Sequence, residues 1–203
     1  IFSFDQWAAR TALLSHPWVA NAHIKRKLPS TIEITVQERK PAGVLVLGDL
    51  FLVDGEGHDF VEATPKEVVG LPLITGLTLD DFNESKTEAR ALVRSALSLA
   101  RTYQRSPISM RCPLSAVHVG VGKRLELMLG RTRIMLGVGH YDEKLKRLDR
   151  VLSSMSERQV GANYIIFGED LDRVVVRETP LDSNFDLSYT LNTTGARNSC
   201  HNN

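Results

Sequence analysis

Residues 22–36 constrain the fold most. Ala22, Ile24 and Leu28 alternate with His23, Lys25 and Lys27; after Pro29-Ser30-Thr31, Ile32, Ile34 and Val36 alternate with Glu33, Thr35 and Gln37. Apolar residues at every second position mark a strand with one buried face, and two such strands across a proline turn read as a hairpin. A three-residue loop at 29–31 keeps inward side chains opposite inward ones. Leu28 then faces Ile32, Ile24 faces Val36, and Lys27 meets Glu33 on the outer face. A two-residue loop would set inward positions against outward ones. Arg26 alone falls on the inward side and is expected near the sheet edge.

A helix is expected before the hairpin, from about Phe4 to Ser15. Ser3 and Gln6 fit a capping box, and Phe2 and Trp7 fit a hydrophobic staple. Phe4, Trp7, Ala8, Thr11 and Leu14 share one face at helical spacing, and Pro17 ends the helix. Residues 1–40 therefore form a small α+β unit, short for independent stability. Pro41 marks a boundary. Strands follow at Val44–Leu47, Leu50–Val53, about Phe60 and Leu73-Ile74, with a turn cluster at Asp54-Gly55-Glu56-Gly57. Asn83 opens a long helix to about Tyr103, with Ala89, Leu92, Val93, Ala96, Leu97, Ala100 and Tyr103 as its apolar stripe. Strands return at Ala116–Val119, Leu125–Leu129 and Arg133–Leu136. A second helix runs from about Tyr141 to Ser156 and buries Leu145, Leu148, Leu152 and Met155. Two last strands, Asn163–Phe167 and Asp172–Arg177, meet at a turn at Gly168-Glu169-Asp170.

The fold class is α+β: a small helix/hairpin domain at 1–40, a larger antiparallel β-sheet domain with two helices at 41–178, and a polar tail at 179–203. In that tail Phe185, Leu187, Tyr189 and Leu191 still alternate, which reads as a marginal strand or as a segment that orders on a partner.

Composition narrows the function classes. An apolar fraction of 42% across 203 residues is enough for a core, and a net charge of +1 lacks the basic excess of a nucleic-acid domain. Lys25-Arg26-Lys27 reads as a solvated strand face. No apolar run of about 18 residues is present to span a bilayer. The chain opens at Ile1 in a helix signal, so we expect a piece of a longer protein whose membrane anchor precedes residue 1. Cys112 and Cys200 have neither CxxC spacing nor neighbouring histidine pairs; they read as two unpaired thiols, with a single disulfide as the alternative in an oxidising compartment.

Chemistry is sparse. None of the six histidines, His16, His23, His58, His118, His140 and His201, stands in a metal-ligand spacing. Gly120-Val121-Gly122-Lys123 lacks the Walker spacing and precedes a strand, so it reads as a hairpin turn. Asp170 and Asp172 sit where turns favour aspartate, with no third oxygen ligand placed by the sequence. No serine stands in a GxSxG elbow and no cysteine in a nucleophile context. The expectation is a binding protein rather than an enzyme, with no cofactor and no metal.

Three motifs carry a resemblance. The stretch from His16-Pro17-Trp18-Val19 through the basic strand, Pro29, the alternating strand and Glu38-Arg39-Lys40-Pro41 resembles the POTRA domain of the FtsQ/DivIB cell-division family. Leu52-Val53-Asp54-x-x-Gly57 is similar to the turn opening that family's second, β-rich domain. Lys144-Leu145-x-Arg147-Leu148-x-x-Val151-Leu152 is similar to the helix before that domain's last strands. The similarity covers about residues 2–178. Where the family often carries Ile-Asp-Leu-Arg, this chain has Ile165-Ile166-Phe167-Gly168, and the family's first POTRA strand has no counterpart.

The resemblance implies a single-pass inner-membrane protein whose globular part lies in the periplasm, concentrated at the division septum. It implies a scaffold that recruits FtsB and FtsL-type proteins and other division proteins, and that helps regulate septal peptidoglycan synthesis. It also implies a partner-binding edge at the last strand, Asp172, Arg173, Val174, Val175, Val176, Arg177 and Glu178, which accepts a strand from FtsB. Read as residues alone, that β-branched stretch with charged flanks fits a partner-binding edge, and fits an ordinary edge or internal strand nearly as well. The other reading of the whole chain is a POTRA-bearing protein of outer-membrane assembly or secretion. Such proteins usually repeat the unit or carry a barrel-length series of strands, and this chain shows one unit and no such series.

Overall fold

The computed structural model describes residues 4–168 and 173–180. The chain divides into two compact units, one up to Leu97 and one from Ser98 onward, and each is described by itself.

The first unit begins with helix α1, Gln6–Leu14. Its cap is Asp5 rather than Ser3. The Asp5 carboxylate accepts from the backbone N–H groups of Trp7 (2.9 Å) and Ala8 (3.0 Å). Its charge also suits the positive end of the helix. Ser3 and Phe2, the other halves of the expected box and staple, lie outside the described residues. The buried face differs from the expected one as well. Of the expected face, Phe4 and Leu14 are half-buried, but Trp7 is 75% exposed and Ala8 and Thr11 are exposed too, while Gln6, Ala9 and Leu13 are half-buried instead. Arg10 fastens this helix to the hairpin by donating from Nε to the Ala22 carbonyl at 3.0 Å.

Strands β1 (Val19–Lys27) and β2 (Thr31–Glu38) form the hairpin. The three-residue loop is 28–30, one residue earlier than expected. Ile24 therefore opposes Ile34, Ala22 opposes Val36, and Lys27 opposes Thr31. The slide conserves the inward set because the side-chain period is two. Lys27 still reaches Glu33 at 3.0 Å, diagonally instead of directly across. Arg26 opposes Ile32 and reaches back to the Phe4 carbonyl. Ala22 is fully buried, whereas Leu28, Ile34 and Val36 are exposed, against the expected inward face.

The same unit holds β3 (Gly43–Leu47), β4 (Asp49–Val53), β5 (Asp59–Glu62) and β6 (Leu73–Thr75), in the order β6-β3-β4-β5. Pairing is antiparallel except between β3 and β6. Val44, Leu45, Leu52, Val53 and Ile74 are fully buried, the near-continuous apolar pattern of strands covered on both faces. The long helix does not start at Asn83. Thr78 and Asp81 form a capping box that opens a short helix, α2 (Leu79–Glu84), unanticipated from the pattern. Ser85 then caps α3 (Lys86–Arg105) by accepting from the Glu88 N–H. The expected stripe on α3 is buried at Ala89, Val93, Ala96, Leu97, Ala100 and Tyr103.

In the second unit a further short helix, α4 (Ile108–Arg111), precedes β7 (Ala116–Val119), β8 (Leu125–Leu129) and β9 (Thr132–Gly137). These three strands form an antiparallel meander. Helix α5 (Tyr141–Glu157) then crosses over to β10 (Val160–Phe167). A helical crossover returns the chain to the same end of a sheet, so β10 runs parallel to β9. The fold is α+β with mostly antiparallel strand pairing, and β3–β6 and β9–β10 are parallel. Cys112 is a free thiol. Burial pushes its ionisation up, Arg111 opposes that, and Asp149 adds to it. The Tyr103 hydroxyl donates to the Cys112 carbonyl at 2.5 Å. Cys200 lies outside the described residues.

Candidate partner-binding edge

The last strand, β11, spans Val174–Pro180, two residues later than the expected start. Arg173 precedes it, and Asp172 lies outside the described residues. It pairs antiparallel with β10, Val174 opposite Phe167 and Val175 opposite Ile166, with a bulge between Ala162 and Tyr164. β11 is the outermost strand of its sheet. In such a strand alternate residues direct their N–H and C=O groups away from the sheet, a template for another strand.

The two faces of β11 differ because side chains alternate. Arg173, Val175 and Arg177 are exposed, with Val175 at 60% beside Ile166 at 40%. Val174 and Val176 are half-buried. On that side Val176 and Glu178 line a groove of about 350 Å³ with Arg147, Arg150, Val151, Ser154, Met155 and Arg158 of α5 and the residue that follows it. These helix positions recur at three- and four-residue intervals, so they form one face. Arg158 donates to Glu178 at 2.5 Å, linking the helix side of the groove to the strand side. A cationic, partly apolar trough thus runs beside the outer strand.

The groove depends on how α5 is held. Leu145 and Leu148 are buried against the unit's core, and so, unexpectedly, is Lys144, at 1% exposure. Its ammonium donates to the carbonyls of Leu136 (2.7 Å), within β9, and Val138 (3.0 Å), just past its end. Arg111 holds the middle of the helix through Asp149 and Ser153. The strand was legible in the residues and the trough was not, although Arg147, Arg150 and Ser154 fall in one row of the expected helix.

Among the described residues no group of three or more His, Cys, Asp or Glu side chains could hold a metal ion. No helix there is long and apolar enough to cross a membrane.

Comparison with known proteins gives these features a family. Residues 1–39 match the model of the POTRA domain, FtsQ-type, and residues 45–167 match that of the Cell division protein FtsQ/DivIB, C-terminal domain. The second match ends at Phe167, so the candidate edge lies beyond both. Cell division protein FtsQ of Anaeromyxobacter sp. (strain K) is 37% identical over 152 residues, 74% of this chain and 52% of the relative. Its namesake from Myxococcus fulvus is 31% identical over 165 residues, 81% of this chain and 58% of the relative. That of Neisseria meningitidis serogroup B is 38% identical over 76 residues, 37% of this chain and 31% of the relative. The chain thus spans little more than half the length of the first two. With more than half of its residues matched by the second model, the chain belongs to the FtsQ/DivIB family of cell-division proteins.

Proposed function

We propose that this chain is the periplasmic part of a non-enzymatic division scaffold, anchored in the inner membrane by a single span outside these residues. In this reading it recruits the FtsB–FtsL pair to the septum, helps regulate septal peptidoglycan synthesis, and binds by strand addition at β11. Residues 1–40 act as the POTRA-like domain, 41–178 as the β domain and 179–203 as a tail. The observation that carries the reading is an outermost strand, paired on one side with β10, with Arg173, Val175 and Arg177 exposed on one face and a cationic trough along the other. Main-chain pairing supplies affinity in such additions, and the alternate side chains supply specificity. The positive charges discourage promiscuous edge pairing.

Proline at the edge tests it. N–H groups along a strand alternate in direction, so of Val175→Pro and Val176→Pro one removes an outward donor and the other a donor to β10. Val175→Pro is expected to abolish binding of the soluble FtsB–FtsL segment while the far-ultraviolet circular dichroism spectrum stays unchanged. If Val175→Pro unfolds the sheet, Val176→Pro becomes the informative variant. Undiminished binding by whichever variant stays folded overturns strand addition at β11.

A further inference from the structure

Two of the sequence motifs, Glu38-Arg39-Lys40-Pro41 and Val53-Asp54-x-x-Gly57, meet within the first unit. Arg39 donates from Nη1 to Asp54 Oδ2 at 2.6 Å, with the two side chains 25% and 13% exposed. Each end of the pair is fixed to a different part. On the hairpin side, the Arg39 N–H donates to the Trp18 carbonyl at 2.8 Å, tying the end of β2 to the start of β1. On the sheet side, Asp54 Oδ1 accepts from the N–H groups of Glu56 (2.9 Å) and His58 (3.0 Å), so the carboxylate is held by its own turn. That turn sits on α3: a Cβ at Gly57 would lie 2.6 Å from the Arg90 carbonyl oxygen. Phe60 of β5 completes the joint. The Trp18 ring meets it edge-on at 5.3 Å, and the Arg39 guanidinium lies 6.0 Å over it.

We propose that the Arg39–Asp54 pair is a lock that fixes the α1–β1–β2 segment on the β3–β6 sheet, and that without it the segment swings on Lys40-Pro41-Ala42 while both parts stay folded. Arg39 uses only half of its fork, since its Nε is buried and makes no hydrogen bond to the described residues. Partly buried ion pairs contribute little net stability, and one of their uses is to select a single arrangement. Here the arrangement selected is the orientation of a helix–hairpin, with its exposed Trp7 and Ile34, against the sheet. A ligand that engages the hairpin would then be felt by the sheet through the Arg39–Asp54 pair.

The test is a distance measurement on the full chain. Spin labels are placed at exposed Ser30 and Asp49 in a background with Cys112→Ser and Cys200→Ser, and double electron–electron resonance is recorded with and without Arg39→Met. The locked protein is expected to give one narrow distance population, and Arg39→Met a broad one or a second, longer one, at unchanged circular dichroism. If Arg39→Met does not fold, Arg39→Lys, which keeps the charge without the planar fork, is expected to show a partial second population. An unchanged narrow distribution in a folded variant, even one with a lower melting temperature, would mean that the pair only adds stability and is no lock.

Discussion

Lys144→Met separates the work of the buried ammonium from that of the side chain's volume. Methionine fills nearly the same space, so no large cavity opens and α5 stays packed. What is lost includes the pair of bonds to the Leu136 and Val138 carbonyls. The two losses are unequal. The bond to the Leu136 carbonyl is buried, so no water replaces the ammonium there, whereas the bond to the Val138 carbonyl is only part-buried. An unsatisfied buried acceptor costs about 1–3 kcal/mol. Against this stands the relief of no longer burying a cation, which reduces the net effect. A destabilisation of about 1–2 kcal/mol follows, roughly 5–10 °C in melting temperature for a cooperative unit near 100 residues. Urea unfolding measures the first figure and calorimetric melting the second. Hydrogen exchange adds a local readout, with faster exchange expected in the turn between β9 and α5. A Lys144→Met protein as stable as the parent, with unchanged exchange in that turn, would refute the claim that the ammonium ties α5 to the end of β9.

Two further perturbations have clear signs. Gly57→Ala combines a left-handed φ of +80° with a backbone oxygen 2.6 Å from the new Cβ, whereas Gly48→Ala has φ +90° and nothing within 4 Å. Denaturant unfolding should cost the Gly48 variant about 1 kcal/mol from backbone strain alone and the Gly57 variant about 2–4 kcal/mol; equal costs would contradict the close seating of the turn on α3. Burial pushes the Asp54 carboxyl up, but the N–H groups of His58 and Glu56, the Arg39 guanidinium and the nearby His58 outweigh it and hold it below the ordinary carboxylate value. Its stabilising effect is thus present above about pH 4, the unfolded value, and is lost as pH falls through the lower folded value. Between pH 5 and pH 3 the Asp54→Asn variant should lose less stability than the parent, and equal losses would remove Asp54 from the acid response.

How much was legible in the residues depended on how local the cause was. The β3–β4 hairpin, the α3 stripe and the β7–β9 meander follow from apolar periodicity and turn residues, which act over a few positions. The registers and helix starts that differed were decided by competing local bonds. Asp5 and Ser3 are both good caps, and Asp5 sits where its carboxylate meets two N–H groups. The hairpin loop moved by one residue because both registers keep the same side chains on one face. Lys144 was invisible, since a lysine at the start of a helix reads as solvent-facing until the carbonyls around it are placed. The edge expected at 172–178 was readable as a strand, whereas its outermost position and the trough beside it are tertiary facts. That Arg39 and Asp54 meet could not be read from motifs 15 residues apart.

The central claim is that β11 receives a partner strand. Calorimetric titration of this chain with the soluble FtsB–FtsL segment of the same organism tests it most directly, with the folded β11 proline variant run alongside. The account predicts saturable binding at micromolar affinity or tighter, about −8 kcal/mol, that the proline variant lacks. Absence of binding between well-folded components, or equal binding by the proline variant, would contradict it.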